Sequence, residues 1–356
     1  MSRPSLTVLP PLPPAVHLRR ARTKPFPLDQ PTFRLHALGR HALHRGVRAQ
    51  GLHPGDEVLV PAYHHGSEVE ALARAGLECR FYGRAEGLAP DEDELASLIG
   101  ARTRALLLIH CIGLPQDAPR WRAWCDAHGL LLIEDAAQAW LASIDGRPAG
   151  SFGDLSIFCL YKTFGLPDGG ALLMASPAPA PGAGGRGVAR TIVRHVAWVR
   201  ARSRLAARVG PAHRGRHYSQ EADIALGDPA VGAVRATTFL LHRVADAGAA
   251  ERRRRNYRSL LAALADVVPE PFARLPEGAS PFIFPIASGR RSELVARLAR
   301  QGIEALEFWS RAHPLVDEPA FPWVGRLRAE VTGLPVHQEL RAREIERIVD
   351  AVRDAL

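Results

Sequence analysis

Lysine is nearly missing from this 356-residue chain: of 46 lysine and arginine residues, only Lys24 and Lys162 are lysines. Arginine supplies the positive charge almost everywhere else, so each lysine needs a reason. Cysteine is also scarce. Cys79, Cys111, Cys125 and Cys159 show no CxxC or metal-ligand spacing, which excludes a zinc ribbon or a dithiol redox motif and predicts buried free thiols. The 15 histidines include no HExxH motif. His64-His65 with Glu68 has some ligand character, and no metal site is expected. No apolar run is long enough to span a bilayer. Prolines interrupt the first twenty residues where a signal peptide needs an unbroken apolar segment. A cytoplasmic protein is expected.

The chain is 47% hydrophobic and 23% charged, the balance of a folded globular protein. Its length suits one large domain and a smaller one. The net charge is +9, and part of the excess is local. Over residues 186–216 arginines alternate with Ile192, Val193, Val196, Trp198, Val199 and Leu205, which reads as a basic amphipathic helix. Its apolar side is expected to pack on the protein's own core; the alternative is a peripheral contact with a membrane surface or an acidic partner. No nucleic-acid motif accompanies the charge, and nucleic acid is set aside.

Residues 1–30 read as an irregular, proline-rich arm. Strands and helices then alternate. "DEVLVPAY" (56–63), "LECRFYG" (77–83), "TRALLLIH" (103–110) and "LLLIED" (130–135) read as strands. "EVEALARAG" (68–76), "DEDELASLIG" (91–100) and "APRWRAWCDAHG" (118–129) read as helices. Unbroken apolar strands between helices predict a mainly parallel sheet covered on both faces. "DLSIFCLY" and "GGALLMAS" are strands around the Lys162 turn, and one long helix is expected over about 229–265. A strand at 281–287 and helices at 291–303 and 340–356 predict a small C-terminal α+β domain. The expected division is 1–235 and 236–356.

Lys162 sits among Phe158, Leu160, Tyr161 and Phe164. An amine can lose its proton and attack a carbonyl, which guanidinium cannot do, so Lys162 is a candidate nucleophile. Asp135 ends a buried strand 27 residues earlier. A buried carboxylate is costly unless a cation or donor meets it, and open parallel sheets bind ligands at these strand ends. An acid and an amine presented by two strands of one sheet suit pyridoxal 5'-phosphate, with the lysine as Schiff base and the aspartate holding the ring nitrogen protonated. Structural Asp–Lys pairs share this spacing. His110 reads as a hydrogen-bonded strand end lining the pocket, Asp154 and Asp168 as turn residues, and Trp309 and His313 as core or substrate-facing.

After about residue 38 the chain resembles the DegT/DnrJ/EryC1/StrS aminotransferases. "GLHPGDEVLVPAY", "EALARAGLECRFY", "LLIHCIGLPQD", "LLLIEDAAQAW", "GRPAGSFGDLSIFCLYKTFGLPDGGAL", "HPLVDEPAF" and "LPVHQELRAREIERIVDAV" carry the likeness, in the family's order and spacing. The resemblance implies a fold-type-I pyridoxal-phosphate transferase. In it Lys162 forms the Schiff base, Asp135 pairs with the pyridinium nitrogen, Gln138 lies near the phenolic oxygen and Ala137 packs on one ring face. His65 falls where an aromatic covers the other face. The family's Ser-Gly-Thr phosphate turn reads Leu38-Gly39-Arg40 here, followed by His41, so Arg40 is expected to hold the phosphate at a helix N-terminus. The serine five residues before the lysine is Ile157, the residue after it is Thr163, and the family's Asn-x-Arg falls near Glu221-Ala222-Asp223.

The resemblance further implies transfer of an amino group from an amino acid, glutamate or glutamine, to a keto acceptor such as a nucleotide-linked sugar, by a homodimer. A dehydratase or deoxygenase with the same cofactor, and a non-catalytic binding or regulatory homologue, are the alternatives.

Overall fold

The structure, a computed structural model, describes residues 5–19, 24–178, 180–202 and 223–356. Strand β1 (Arg34–His36) leads into helix α1 (Gly39–Ala49). There follow β2 (Glu57–Pro61), α2 (Ser67–Arg74), β3 (Glu78–Tyr82), α3 (Glu92–Leu98), β4 (Thr103–Ile109), α4 (Ala118–His128) and β5 (Leu131–Asp135). A short ribbon, β6 (Ser143–Ile144) and β7 (Arg147–Pro148), precedes β8 (Leu155–Cys159), the single helical turn α5 (Leu160–Thr163) and β9 (Gly170–Met174). Helices α6 (Val188–Arg202), α7 (Arg235–Val244) and α8 (Ala249–Leu264) come next. The chain closes with β10 (Ile283–Ala287), α9 (Arg291–Arg300), β11 (Leu306–Glu307), α10 (Pro322–Glu330), β12 (Val331–Pro335) and α11 (Ala342–Ala355).

Seven strands form one sheet in the order β1-β9-β8-β5-β4-β2-β3. Strands β3, β2, β4, β5 and β8 are mutually parallel, and β9 and β1 add antiparallel at one edge. The apolar run Ala105–Ile109 is buried on both faces, as a central strand between two helical layers requires. Local chemistry ends the helices where the sequence predicts. The Asp91 carboxylate accepts from the Glu94 amide at 2.8 Å and caps α3. Gly129 takes the left-handed conformation that closes α4. A second sheet, β10-β12-β11, is antiparallel. Tyr257, Leu260, Leu298, Ile348 and Val352 from α8, α9 and α11 share its core.

Three expectations change. The helix expected over 229–265 is two helices, because the Asp246 carboxylate accepts from the Gly248 amide at 3.1 Å and turns the chain between α7 and α8. The proline-rich arm has little regular structure but is pinned down. The Leu6 amide donates to Gly302 O at 2.9 Å, Leu6 O accepts from the Glu304 amide at 2.8 Å, and Leu6, Leu12 and Val16 are buried. The apolar side of α6 does not pack on the core: Val188, Ile192, Val193, Val196 and Val199 are all exposed. The helix is held instead by polar contacts of its other side. His195 Nδ1 pairs with Leu12 O at 2.9 Å, and Arg202 donates to Glu339 O at 3.1 Å. The rest of the 186–216 segment, from residue 203, lies outside the described residues.

Candidate active site

Parallel neighbours β5 and β8 pair Asp135 with Ile157, so their ends open on the same side of the sheet. Asp135 closes β5. Beyond β8, α5 carries Lys162 back over that edge. The two side chains line a cavity of about 280 Å³ together with Ala137, Gln138, His65 and Arg40. Leu38 and Gly39 at the start of α1 also reach it.

Each group is fixed by its neighbours. One Asp135 oxygen accepts from the Ala137 amide at 2.8 Å. Burial pushes the Asp135 carboxyl up to about 7, and the nearby Glu68 carboxylate acts in the same direction, while the Ala137 bond and the Lys162 charge oppose them. Gln138 Oε1 accepts from the Ile112 amide at 2.7 Å, which leaves the side-chain N–H groups as its donors toward the cavity. His65 Nδ1 pairs with Ser67 Oγ at 3.1 Å. Burial, with the Lys162 and Arg40 charges, lowers the imidazole to about 3, so the ring is neutral and can stack. Lys162 Nζ lies 5.7 Å from the centre of the Phe282 ring.

The Lys162 turn is clamped from beneath by a buried arginine. Arg253 donates to Thr163 O at 2.7 Å, Lys162 O at 3.4 Å, Pro281 O at 2.8 Å and Gln338 Oε1 at 2.8 Å. Gln338 adds a bond to Thr163 O at 3.0 Å. At the other end of the cavity Leu38 caps α1 without a side-chain bond. A Cβ on Gly39 would stand 2.7 Å from Cys159 Sγ, so a larger residue where α1 starts against β8 would have to displace that thiol. Burial raises the Cys159 thiol, which suits a packed thiol rather than a nucleophile. Arg40 donates to Ala225 O at 2.8 Å.

The structure separates some residues that the sequence grouped. His41 is not among the residues lining the cavity: its ring turns away to Leu226 O at 2.8 Å. His110 is buried but outside the cavity lining, with Nε2 3.0 Å from Glu134 Oε1 and Nδ1 accepting from the Gln116 amide. Glu134 also accepts from the amides of Gly150, Phe152 and Gly153. Burial alone would raise it, but the bonds from His110 and these amides outweigh that and hold it below the ordinary range. Asp168 does not cap its own turn. It accepts from the Val234 amide at 3.2 Å and from Thr237 Oγ1 at 2.6 Å, at the start of α7. Trp309 lines the cavity, whereas His313 pairs with Glu70 at 3.3 Å. Glu221 and Ala222 lie outside the described residues, and Asp223 reaches the cavity wall.

Sequence reasoning missed several lining residues. Glu68, three residues after His65, had a readable signal, because the first turn of a helix returns its side chain toward the residue three before it. Val8 and Leu9, which close the cavity from the arm, carried none.

Residues 37–183 match the DegT/DnrJ/EryC1/StrS aminotransferase family. The chain is 33% identical over 141 residues to the GDP-perosamine synthase of Vibrio cholerae, covering 39% of this chain and 38% of that protein. It is 27% identical over 339 residues to the dTDP-3-amino-3,4,6-trideoxy-alpha-D-glucose transaminase of Streptomyces venezuelae, covering 89% of this chain and 80% of that one. The crystal structure of DesV from S. venezuelae, in complex with a ketimine intermediate, superimposes with a TM-score of 0.65 at 25% identity, over 90% of this chain and 84% of that one. With the first two curated relatives, the match spans only 38% and 39% of their length.

Proposed function

We propose, for a chain whose residues 37–183 match the DegT/DnrJ/EryC1/StrS aminotransferase family, the activity of an aminotransferase that moves an amino group from an amino acid to a keto acceptor. The family's cofactor is pyridoxal 5'-phosphate. The observation that carries the reading is the convergence of Lys162, Asp135, Gln138, Ala137 and His65 on one cavity.

These residues fit the cofactor. Lys162 offers the amine for the Schiff base, and Asp135, bonded on one oxygen only to an amide, keeps its other oxygen for the ring nitrogen. Neutral His65 and Ala137 suit two faces of a flat ring. Gln138 presents N–H donors to the phenolic oxygen. The uncapped first turn of α1 and the Arg40 guanidinium suit the phosphate.

Bound there, the cofactor supplies an electron sink for the carbanion left when the donor loses its Cα proton. The protein groups do the rest. Asp135 holds positive charge at the ring nitrogen. Lys162, once freed, takes the proton from the donor Cα as a base and returns one as an acid when the acceptor is aminated. Phe282 and the arm residues Val8 and Leu9 give the cavity apolar walls beside the amine. The relatives named for nucleotide-sugar products support a sugar-linked keto acceptor, and glutamate or glutamine is the donor in this proposal. A cytoplasmic homodimer completes the proposal.

The test is borohydride trapping with added pyridoxal phosphate, followed by peptide mapping and by glutamate-dependent conversion to pyridoxamine phosphate. The adduct is expected on Lys162, and Lys162→Arg should lose it while staying folded. Trapping on another residue, or turnover retained in that variant, overturns the assignment. Trapping without glutamate-dependent conversion points to the dehydratase reading.

A further inference from the structure

Helix α6 faces the wrong way for an ordinary surface helix, which turns its apolar stripe inward. Its outward residues Val188, Ile192, Val193, Val196 and Val199 are 58%, 54%, 66%, 47% and 41% exposed. At 3.6 residues per turn, Val188, Ile192, Val196 and Val199 form one stripe with Val193 beside it. Arg200 falls between Val196 and Val193 around the helix, and Arg190 lies just beyond Val193, so both flank the same edge of the stripe. The exposed Arg190 reaches Asp168 at 3.5 Å. The inward side holds Thr191 and Ala201, both buried, and His195. Exposed apolar surface continues past the helix. His195 Nε2 meets His17 Nε2 at 2.9 Å, and the His17 ring stacks on Phe239 at 6.4 Å. Leu18 and Phe239 are themselves exposed.

We infer that this face docks the protein on an anionic lipid surface. Charge decides between occupants. Residues 180–202 contain five arginines (Arg186, Arg190, Arg194, Arg200 and Arg202) and no Asp or Glu, and the whole chain carries +9. A second copy related by a twofold axis would bring arginine against arginine beside the apolar contact. A bilayer with anionic headgroups accepts the aliphatic stripe in its interface and is attracted by the flanking positive charge. The helix lies along such a surface for about 22 Å, at 1.5 Å per residue. Among the described residues no helix is long and apolar enough to cross a membrane, so the contact is peripheral.

The test is flotation of the full chain with phosphatidylcholine vesicles, with and without about one-quarter phosphatidylglycerol. The protein should float with the anionic vesicles at least about tenfold more than with the neutral ones, and high salt should reverse this. The double variant Ile192→Ser with Val196→Ser, changed only at exposed positions, should lose flotation about tenfold while keeping its circular dichroism melt. Equal flotation with both vesicle types overturns the inference, as does flotation unaffected by the double variant. Absence of flotation with either vesicle type also overturns it, and a dimer that the double variant turns into a monomer would then assign the face to a second copy.

Discussion

Replacing Arg253 by alanine tests how the Lys162 amine is held in place. The guanidinium is buried and makes three short bonds, to Thr163 O, Pro281 O and Gln338 Oε1, at 2.7, 2.8 and 2.8 Å. Bonds from a charged donor contribute about 1.5–3 kcal/mol each, so their loss costs about 5–9 kcal/mol. Against this, the charge is expensive to bury. Burial lowers Arg253 to about 9, which from an ordinary value above 12 corresponds to about 5 kcal/mol of desolvation relieved in the alanine variant. The net destabilisation is therefore about 0–4 kcal/mol, and Thr163 O keeps its bond from Gln338. The larger effect falls on position. Arg253 ties the carbonyls of the Lys162 turn to Pro281, next to the Phe282 ring that faces the amine. A displacement of about 1 Å there is worth about a hundredfold in rate.

Two measurements separate the effects. Urea denaturation gives the stability change. The rate at which pyridoxal phosphate becomes borohydride-trappable, per folded molecule, gives the positioning effect. We expect that rate to fall about ten- to a hundredfold at urea concentrations where the variant is still folded. Added guanidinium at millimolar concentration should restore part of it, which a merely loosened fold would not allow. A variant that loses stability yet traps at the wild-type rate refutes the positioning argument. A variant more stable than wild type refutes the balance of terms.

The same reasoning reaches other positions. Arg40→Ala should raise the dissociation constant for pyridoxal phosphate about ten- to a hundredfold, measured by absorbance titration; an unchanged constant means the phosphate is held elsewhere. Arg328 donates to Ala62 O, His64 O, Trp309 O and Arg311 O at 2.7, 3.2, 2.7 and 2.8 Å. Arg328→Met should cost about 3–5 kcal/mol in denaturant unfolding, and near wild-type stability would mean that water replaces those donors. Burial lowers His36 to about 4 and His64, His65 and His337 to about 3. Between these values and about 6.5 the unfolded chain binds protons on all four while the native protein does not, so stability should fall as the pH drops through that window. Burial also lowers His41, His44 and His242, which act in the same direction, while Asp135, raised to about 7, and Asp168 and Glu339, also raised by burial, oppose them. A melting temperature that is flat or rising as the pH drops from about 6.5 to about 4 would contradict that sum.

The central sheet was legible because apolar runs such as "ALLLI" have only one comfortable place, a strand buried on both faces. Lys162 was legible for a different reason: scarcity of its type. What stayed hidden was decided by partners far away in sequence. The pattern of α6 shows a stripe, but the direction it faces is set by His195 meeting Leu12 and Arg202 meeting Glu339. Asp168 looked like a turn residue because its true partner, the Val234 amide, lies 66 residues on. His41 sits one helical step from cavity residues and still misses the cavity, since Leu226 O takes its ring.

The division between lysine and arginine also has a physical account in the structure. Arg253 and Arg328 are structural cations that must stay protonated while their donors are spent on backbone carbonyls. Arg253 keeps its proton at neutral pH even when burial lowers it to about 9. The same penalty on a lysine, starting from about 10.4, would leave it near 7 and half neutral. An amine in that place would lose its charge and, with one compact donor group, could not span Thr163, Pro281 and Gln338 together. At position 162 the proposed role reverses the demand, because a Schiff-base amine must give up a proton to act. An arginine-rich chain can therefore use guanidinium at its structural cations, while the role proposed for position 162 requires an amine.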